Sequence, residues 1–302
     1  MTTHMLIHRF LCLFLLCMVG SRLLAQPATD PTLRDGRFAP QSSKELMTQL
    51  DSLLTFAVGQ DSVPIRNQAN YMAIRTLIQI LNEPSNYSLD FDSISTLSVL
   101  DAPDQTFRLF TWVVPQEPGN WRHFGCVLTH EKKPRIIGLI DQSDQYLDRN
   151  DTSFGSKAWY GQIYYAIVPK TQKYSGQTCY TLLGYDHHEP FSRRKMIDFL
   201  WFDDAGDVHF GAPLLETEEK DYYRYWIEFS SEASAAMRYD EELQAIVFDY
   251  LAPRNPRNKG LYFDYVPDGT FDAFLFRKKG WEFRADVDAR LKRIKGEARR
   301  TK

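Results

Sequence analysis

The chain is predicted to be an α+β protein, mainly antiparallel β, on three observations. Residues 43–84 carry apolar side chains at helical spacing. Beyond Phe107 the sequence breaks into short runs rich in aromatic and β-branched residues. Between those runs, glycine, proline, asparagine and aspartate recur about every ten residues, the turn chemistry of connected strands.

Ser42 and Ser43 offer an N-cap, and Leu46, Leu50, Leu53, Leu54 and Ala57 follow on one face until Gly59. A second helix is expected after Pro64, carrying Ile65, Ala69, Met72, Leu77, Ile78 and Leu81, with Pro84 at its end. Together they form a helical pair over 43–84, expected to pack on one edge of the β-structure.

Strands are predicted at 107–114, 122–130, 135–140, 159–168, 180–185, 195–202 and 208–214, and then at 222–229, 235–239, 245–251, 261–266, 271–276 and 281–284. The turns Pro118-Gly119-Asn120, Asp203-Asp204-Ala205-Gly206-Asp207, Pro267-Asp268-Gly269 and Lys278-Lys279-Gly280 supply the backbone freedom of hairpins. Connections this short make neighbours antiparallel, because a parallel crossover needs roughly a dozen residues. So many strands cannot share one flat sheet, so residues 85–288 are expected to form a long curled or two-layer meander. A propeller-like division is the alternative, hinted at by Ile137-Gly138-Leu139-Ile140-Asp141 and Leu183-Gly184-Tyr185-Asp186.

Two runs carry more detail. In 222–229, Tyr223, Tyr225, Ile227 and Phe229 alternate with Tyr222, Arg224, Trp226 and Glu228, which reads as a core face and an amphipathic aromatic surface. In 195–202 both faces are apolar, Ile197, Phe199 and Trp201 against Met196, Leu200 and Phe202, which predicts a strand covered on both sides.

The N-terminus predicts export. Arg9 precedes an uncharged apolar run over 10–20, and Leu23-Leu24-Ala25 ends at a small residue before Gln26 and Pro27, the layout of a signal peptide over 1–25. The run is about half the roughly 20 residues a membrane span needs, and no other stretch approaches that length. Lipid attachment at Cys17 is not expected, since Leu15 and Leu16 stand where small residues are required. The expected location is the periplasm or the extracellular space, with no transmembrane segment in the mature chain. Residues 26–42 read as a linker, and 289–302, with seven basic residues and Glu297, as a solvated basic tail.

The chain carries a net charge of −3, and losing Arg9 and Arg22 makes it more acidic, which argues against both nucleic acid and an anionic membrane as partners. Cys12 and Cys17 lie in the leader, leaving Cys126 and Cys179 as either one disulfide or two buried thiols.

The densest set of donors is Asp186-His187-His188-Glu189, residue types that ligate zinc or a similar metal. Neighbours on an extended chain point to opposite sides, however, and the run sits between two strands ahead of Pro190, so a polar hairpin loop is the simpler reading. Asp141, Asp144, Asp148 and Asp151 could gather oxygen ligands but lack the spacing of a calcium loop. Asp203, Asp204 and Asp207 have the spacing of an ordinary turn. No nucleophile elbow and no helical His-Glu-x-x-His occurs, and no cofactor is expected. Aromatic residues make up 14% of the chain, and exposed rings on a sheet could hold a sugar or peptide, although aromatics also fill cores.

The stretch 159–281 resembles a group of exported, β-rich proteins of Bacteroidota to which no activity is assigned. The resemblance is carried by Trp159-Tyr160-Gly161, Tyr180-Thr181-Leu182-Leu183-Gly184-Tyr185-Asp186, Phe210-Gly211-Ala212-Pro213 and Met237-Arg238-Tyr239-Asp240. Ile246-Val247-Phe248-Asp249-Tyr250-Leu251 and Pro267-Asp268-Gly269-Thr270-Phe271-Asp272 complete it. It implies an envelope or secreted location and brings no functional residue with it.

Two expectations follow. The first is a non-enzymatic binding protein that holds a glycan, peptide or envelope protein on a sheet face, with Tyr222 and Trp226 as its contact residues. The rival is a secreted hydrolase, metal-assisted or using paired carboxylates, in which Asp186, His187, His188 and Glu189, or the aspartates near Asp144, converge in a cleft.

Overall fold

The computed structural model describes residues 42–145 and 149–289. The expected leader over 1–25, most of the linker, Asp148 and the basic tail from Arg290 lie outside the described residues.

Helix α1 (Ser43–Gly59) starts at a capping box: the Ser42 hydroxyl accepts from the Glu45 amide, and the Glu45 carboxylate accepts from the Ser42 amide. Helix α2 (Val63–Leu81) has Pro64 in its first turn. The pair packs through Leu46, Leu50, Leu54, Ala73, Leu77 and Ile80 onto Phe110, Trp112, Val114 and Leu128 of the sheet below. Each fully buried leucine contributes roughly 2 kcal/mol, offsetting the entropy of ordering the chain. The helices therefore cover a sheet face, not an edge as the sequence reading had it, because their apolar stripe is too wide for an edge to bury.

The β-structure comprises β1 (Ser98–Asp101), β2 (Phe107–Pro115), β3 (Trp121–Thr129), β4 (Ile136–Ile140), β5 (Phe154–Gly155), β6 (Ile163–Tyr174), β7 (Gln177–Asp186) and β8 (Ser192–Phe202). It continues with β9 (Val208–Phe210), β10 (Leu215–Glu216), β11 (Asp221–Tyr222), β12 (Tyr225–Ser230), β13 (Met237–Asp240), β14 (Ala245–Pro253), β15 (Tyr265–Phe276) and β16 (Trp281–Arg284). They divide into three sheets with no closed barrel, ordered β1-β2-β3-β4, then β5-β9-β8-β7-β6 with β12 also on β8, then β11-β10-β16-β15-β14-β13. Pairing is antiparallel except between β10 and β16. The fold is α+β and mainly antiparallel β, as predicted.

The sheets stack. Phe107, Leu109, Val127 and Leu139 of the first meet Tyr180, Leu182, Leu200 and Phe210 of the second. The second sheet's other face, with Cys179, Leu183, Ile197 and Phe199, meets Met237, Ile246, Phe248, Phe274 and Trp281 of the third. Strand β8 is thus covered on both sides, as its two apolar faces require.

Two local readings change. Residues 267–270 bulge a continuous strand instead of reversing the chain: β15 pairs with β14 on both sides of them, with Leu251 opposite Pro267 and Asp249 opposite Phe271. Gly269 takes φ +95°, and Asp268 accepts from the amide and hydroxyl of Thr270, so the turn chemistry is spent inside the strand. The predicted strand 261–266 is a 3-10 turn, Tyr262–Asp264, leading into β15.

Candidate functional site

Two of the four donors at the end of β7, Asp186 and His188, come together, but in the interior. Asp186 accepts from the His188 amide at 2.8 Å, and His188 adopts φ +49°, so the chain curls and returns the His188 ring beneath Asp186. Asp186 and His188, two residues apart, thus meet on one side, while the His187 ring between them turns to Trp121.

From this turn a chain of ionisable groups runs through the molecule. His123 of β3 stands between two carboxylates, Nδ1 3.5 Å from Asp141 Oδ2 and Nε2 3.7 Å from Asp186 Oδ1. His188 Nδ1 lies 3.7 Å from Asp186 Oδ2, and its Nε2 lies 3.5 Å from Glu228 Oε1. Glu228 accepts from Ser192 Oγ at 2.7 Å and from Arg194 at 2.8 Å, and Arg194 donates to the Tyr160 hydroxyl at 3.1 Å. Asp141 takes the amide of His123 and both the amide and hydroxyl of Ser143. Gly161 leaves room for it, since a Cβ there would overlap the Asp141 carboxylate.

Burial raises the Asp141 pKa, but His123 and Ser143 outweigh it and hold the carboxyl at about 2. Burial likewise raises the Asp186 pKa, but the His188 and His123 contacts outweigh it, so the carboxyl is held below its ordinary value. His187 is depressed to about 4 by burial, with His123 and Arg193 adding to it and Asp186 opposing.

The side chains of His123, Asp141, Asp186, His188, Glu228 and Arg194 expose only 2–6% of their surface. This chain of groups ties β3 of the first sheet to β7, β8 and β12 of the second. Among the described residues no group of three His, Cys, Asp or Glu side chains is arranged to hold an ion. Of the four expected ligands, Asp186 and His188 are engaged by neighbours, His187 stacks on Trp121 at 5.2 Å, and Glu189 is 62% exposed.

A second buried network passed unnoticed in the sequence. Asp198 and Arg224 are fully buried 3.5 Å apart, and Asp198 also accepts from Gln162 Nε2 at 3.1 Å and the Tyr164 hydroxyl at 2.9 Å. Arg224 donates to the carbonyls of Arg149, Thr152 and Phe210. Burial raises the Asp198 pKa, with Arg224 opposing. The signal was there: a lone aspartate between Met196 and Leu200, on a strand covered on both sides, needs a buried cation.

These contacts correct the reading of 222–229. Arg224 and Glu228 face the interior, so the polar face of β12 is no exposed surface. Tyr222 and Trp226 separate, Tyr222 in the third sheet and Trp226 on β12 of the second, where Trp226 packs with Tyr160 and Met196 beneath the Arg194 guanidinium. The other tryptophans are similarly occupied. Trp112, Trp159 and Trp281 are buried; Arg193 stands 4.8 Å from the Trp121 ring and His209 stacks on Trp201 at 4.5 Å.

Of the described aspartates near Asp144, only Asp141 joins a cluster. Asp144 is exposed, and Asp151 pairs with Arg149 on the surface. Cys126 and Cys179 are free, buried thiols in different cores, on opposite sides of the core between the first two sheets. Burial pushes the Cys126 thiol up to about 12 and raises Cys179 as well.

Tyr222 does line an open groove of about 580 Å³, with Thr217, Glu218, Glu219, Tyr225, Phe283, Arg284 and Ala285. The turn between β10 and β11 is fixed by Thr217, whose hydroxyl donates to the Lys220 carbonyl and accepts from the amides of Glu219 and Lys220. The parallel pairing of β10 with β16 sets Glu216 opposite Glu282 and brings Phe283 and Arg284 beside that turn. Tyr225 enters from β12, its ring edge-on to Tyr222 at 6.1 Å, and burial pushes its hydroxyl up to about 12. Glu218 and Glu219 make no ion pair among the described residues, and Lys220 lies 4.5 Å from the Tyr222 ring. The site thus offers aromatic rings beside accessible carboxylates, a guanidinium and a hydroxyl, in the size range of small-ligand sites.

Comparison of the chain with protein-family models, with curated proteins and with solved structures finds no match.

Proposed function

We propose that the protein is an exported, non-enzymatic binding protein whose groove at Tyr222 holds a saccharide. The observation that carries this reading is the lining: Tyr222, Tyr225 and Phe283 beside Thr217, Glu218, Glu219 and Arg284 at the junction of the second and third sheets. Sugar rings pair apolar C–H faces with hydroxyl edges, and such a lining meets both, rings for the faces and polar side chains for the hydroxyls. The enclosure of the His123 and Asp186 chain supports binding over turnover. Export rests on the charge and apolar layout of residues 1–25.

The test is a thermal-shift series against oligosaccharides of different composition. A ligand that binds only the folded state raises the melting temperature, by about 2.7 kcal/mol of stabilisation at a hundredfold excess over Kd. One sugar class should raise it for the wild type and not for Tyr222→Ala. A flat series, or a rise that Tyr222→Ala leaves unchanged, contradicts the reading.

A further inference from the structure

Between β14 and β15 the chain turns its polar groups inward and its apolar ones outward, the reverse of an ordinary loop. The Asp264 carboxylate accepts from the Asn255 amide at 2.9 Å and from Asn258 Nδ2 at 3.0 Å, and the Asp264 carbonyl accepts from the Arg254 amide. Asn255 Oδ1 accepts from the Arg257 amide, and the Gly260 amide donates to the Tyr265 hydroxyl. The segment is pinned from beneath by these bonds and by two 3-10 turns, Pro256–Asn258 and Tyr262–Asp264.

On that support Leu261, Tyr262 and Phe263 stand 48%, 45% and 49% exposed. Three consecutive large apolar side chains thus stand half in solvent, with Tyr262 resting on Tyr265 at 5.1 Å, and such an exposed run is a fault unless something covers it. Arg254, Arg257 and Lys259 lie exposed just before them, and residues 250–263 contain no acid although the chain as a whole is acidic. Glu232 is the one acid paired with these cations among the described residues, 3.6 Å from Arg254, with both side chains well exposed.

We propose that segment 254–263 docks the protein onto an anionic lipid surface. Leu261 and Phe263 enter the boundary between headgroups and acyl chains, Tyr262 sits there with its hydroxyl toward water, and the cations meet lipid phosphates. A bilayer matches this order of chemistry, with apolar tip, amphipathic ring and cationic flank, and needs no recess shaped to receive it. Tyr262 lies near Tyr225 of the Tyr222 groove, but the docking proposed here does not depend on that groove's ligand.

The test places an environment-sensitive fluorophore on Tyr262→Cys in the full chain, where Cys126 and Cys179 are buried. Vesicles of phosphatidylcholine with phosphatidylglycerol should brighten and blue-shift the probe, and vesicles of phosphatidylcholine alone should not. Reversing two charges in Arg257→Glu/Lys259→Glu should weaken apparent vesicle affinity at least thirtyfold, at roughly fivefold for each cation merely neutralised. In co-sedimentation without the label, Leu261→Ser/Phe263→Ser should lose most of the anionic-vesicle binding attributable to the loop. No spectral change, an equal change with neutral vesicles, or binding indifferent to the loop variants overturns the proposal. So does a probe that responds to an envelope protein and not to lipid.

Discussion

The two buried networks, through His123 and Asp186 and around Asp198 and Arg224, form a seam, and this seam and the Tyr222 groove are made of the same residue types and do opposite things with them. In the seam, Glu228 is held by Arg194 and Ser192, Asp141 by His123 and Ser143, and Asp198 by Arg224, Gln162 and Tyr164, all nearly out of reach of water. In the groove, Glu218 and Glu219 stay exposed, and the rings of Tyr222 and Phe283 are only partly covered. Charges withdrawn from water must be matched inside the protein, which makes the seam rigid and demanding; charges left in water are free to meet a ligand. Chemically rich residues therefore do not mark a working site until their exposure is known.

The sharpest way to break this contrast is Arg224→Met, which leaves Asp198 buried without its cation. It should cost about 4 kcal/mol and lower the melting temperature by roughly 10 °C. Adding Asp198→Asn should recover part of the loss, because no uncompensated charge then remains; a double variant no better than the single would show that Asp198 does not depend on Arg224.

Next in size is the acid limb. The folded-state pKa of Asp141 is depressed to about 2, so its stabilisation is fully present above the ordinary carboxylate value and is lost as pH falls from about 4 toward 2. The difference amounts to about 2 kcal/mol. Urea midpoints followed down that window should fall less steeply for Asp141→Asn than for the wild type; parallel curves would place the titration elsewhere.

Tyr222→Ala should cost under about 1 kcal/mol in stability, as a partly exposed side chain does, and weaken saccharide binding at least tenfold, by about 1.4 kcal/mol. Smallest is the thiol pair. Alkylation mapped by peptide mass should find Cys126 and Cys179 unmodified in the folded protein and both modified after denaturation, whereas a disulfide would protect both until reduction.

Legibility followed how local the cause was. Caps, helical spacing and alternation are set within a few residues, so Ser42, Gly59, Pro64 and most of the strands from Phe107 onward could be read directly. The division into three stacked sheets depends on which distant faces meet, so the two-layer expectation missed a layer. Pro267-Asp268-Gly269 carried true turn chemistry but not its use, because only the pairing partner β14 decides between a reversal and a bulge. The site was half legible. Asp186 and His188 stood out as donors, but their closure with His123 and Glu228 joins three strands and could not be seen from spacing. Tyr222 was singled out and lines a groove; Trp226 was singled out by the same alternation and lies beneath Arg194, because the chain leaves one sheet for another between them.

The central claim is that the seam holds the fold while the groove binds. Calorimetric titration with the saccharide that stabilises the wild type, together with melting temperatures, should be run on Tyr222→Ala and Asp141→Asn in one buffer at neutral pH. The account predicts that Tyr222→Ala loses affinity at nearly unchanged melting temperature, and that Asp141→Asn melts lower with its affinity intact. Loss of binding in Asp141→Asn with full affinity in Tyr222→Ala would contradict it and move the ligand to the interior chain.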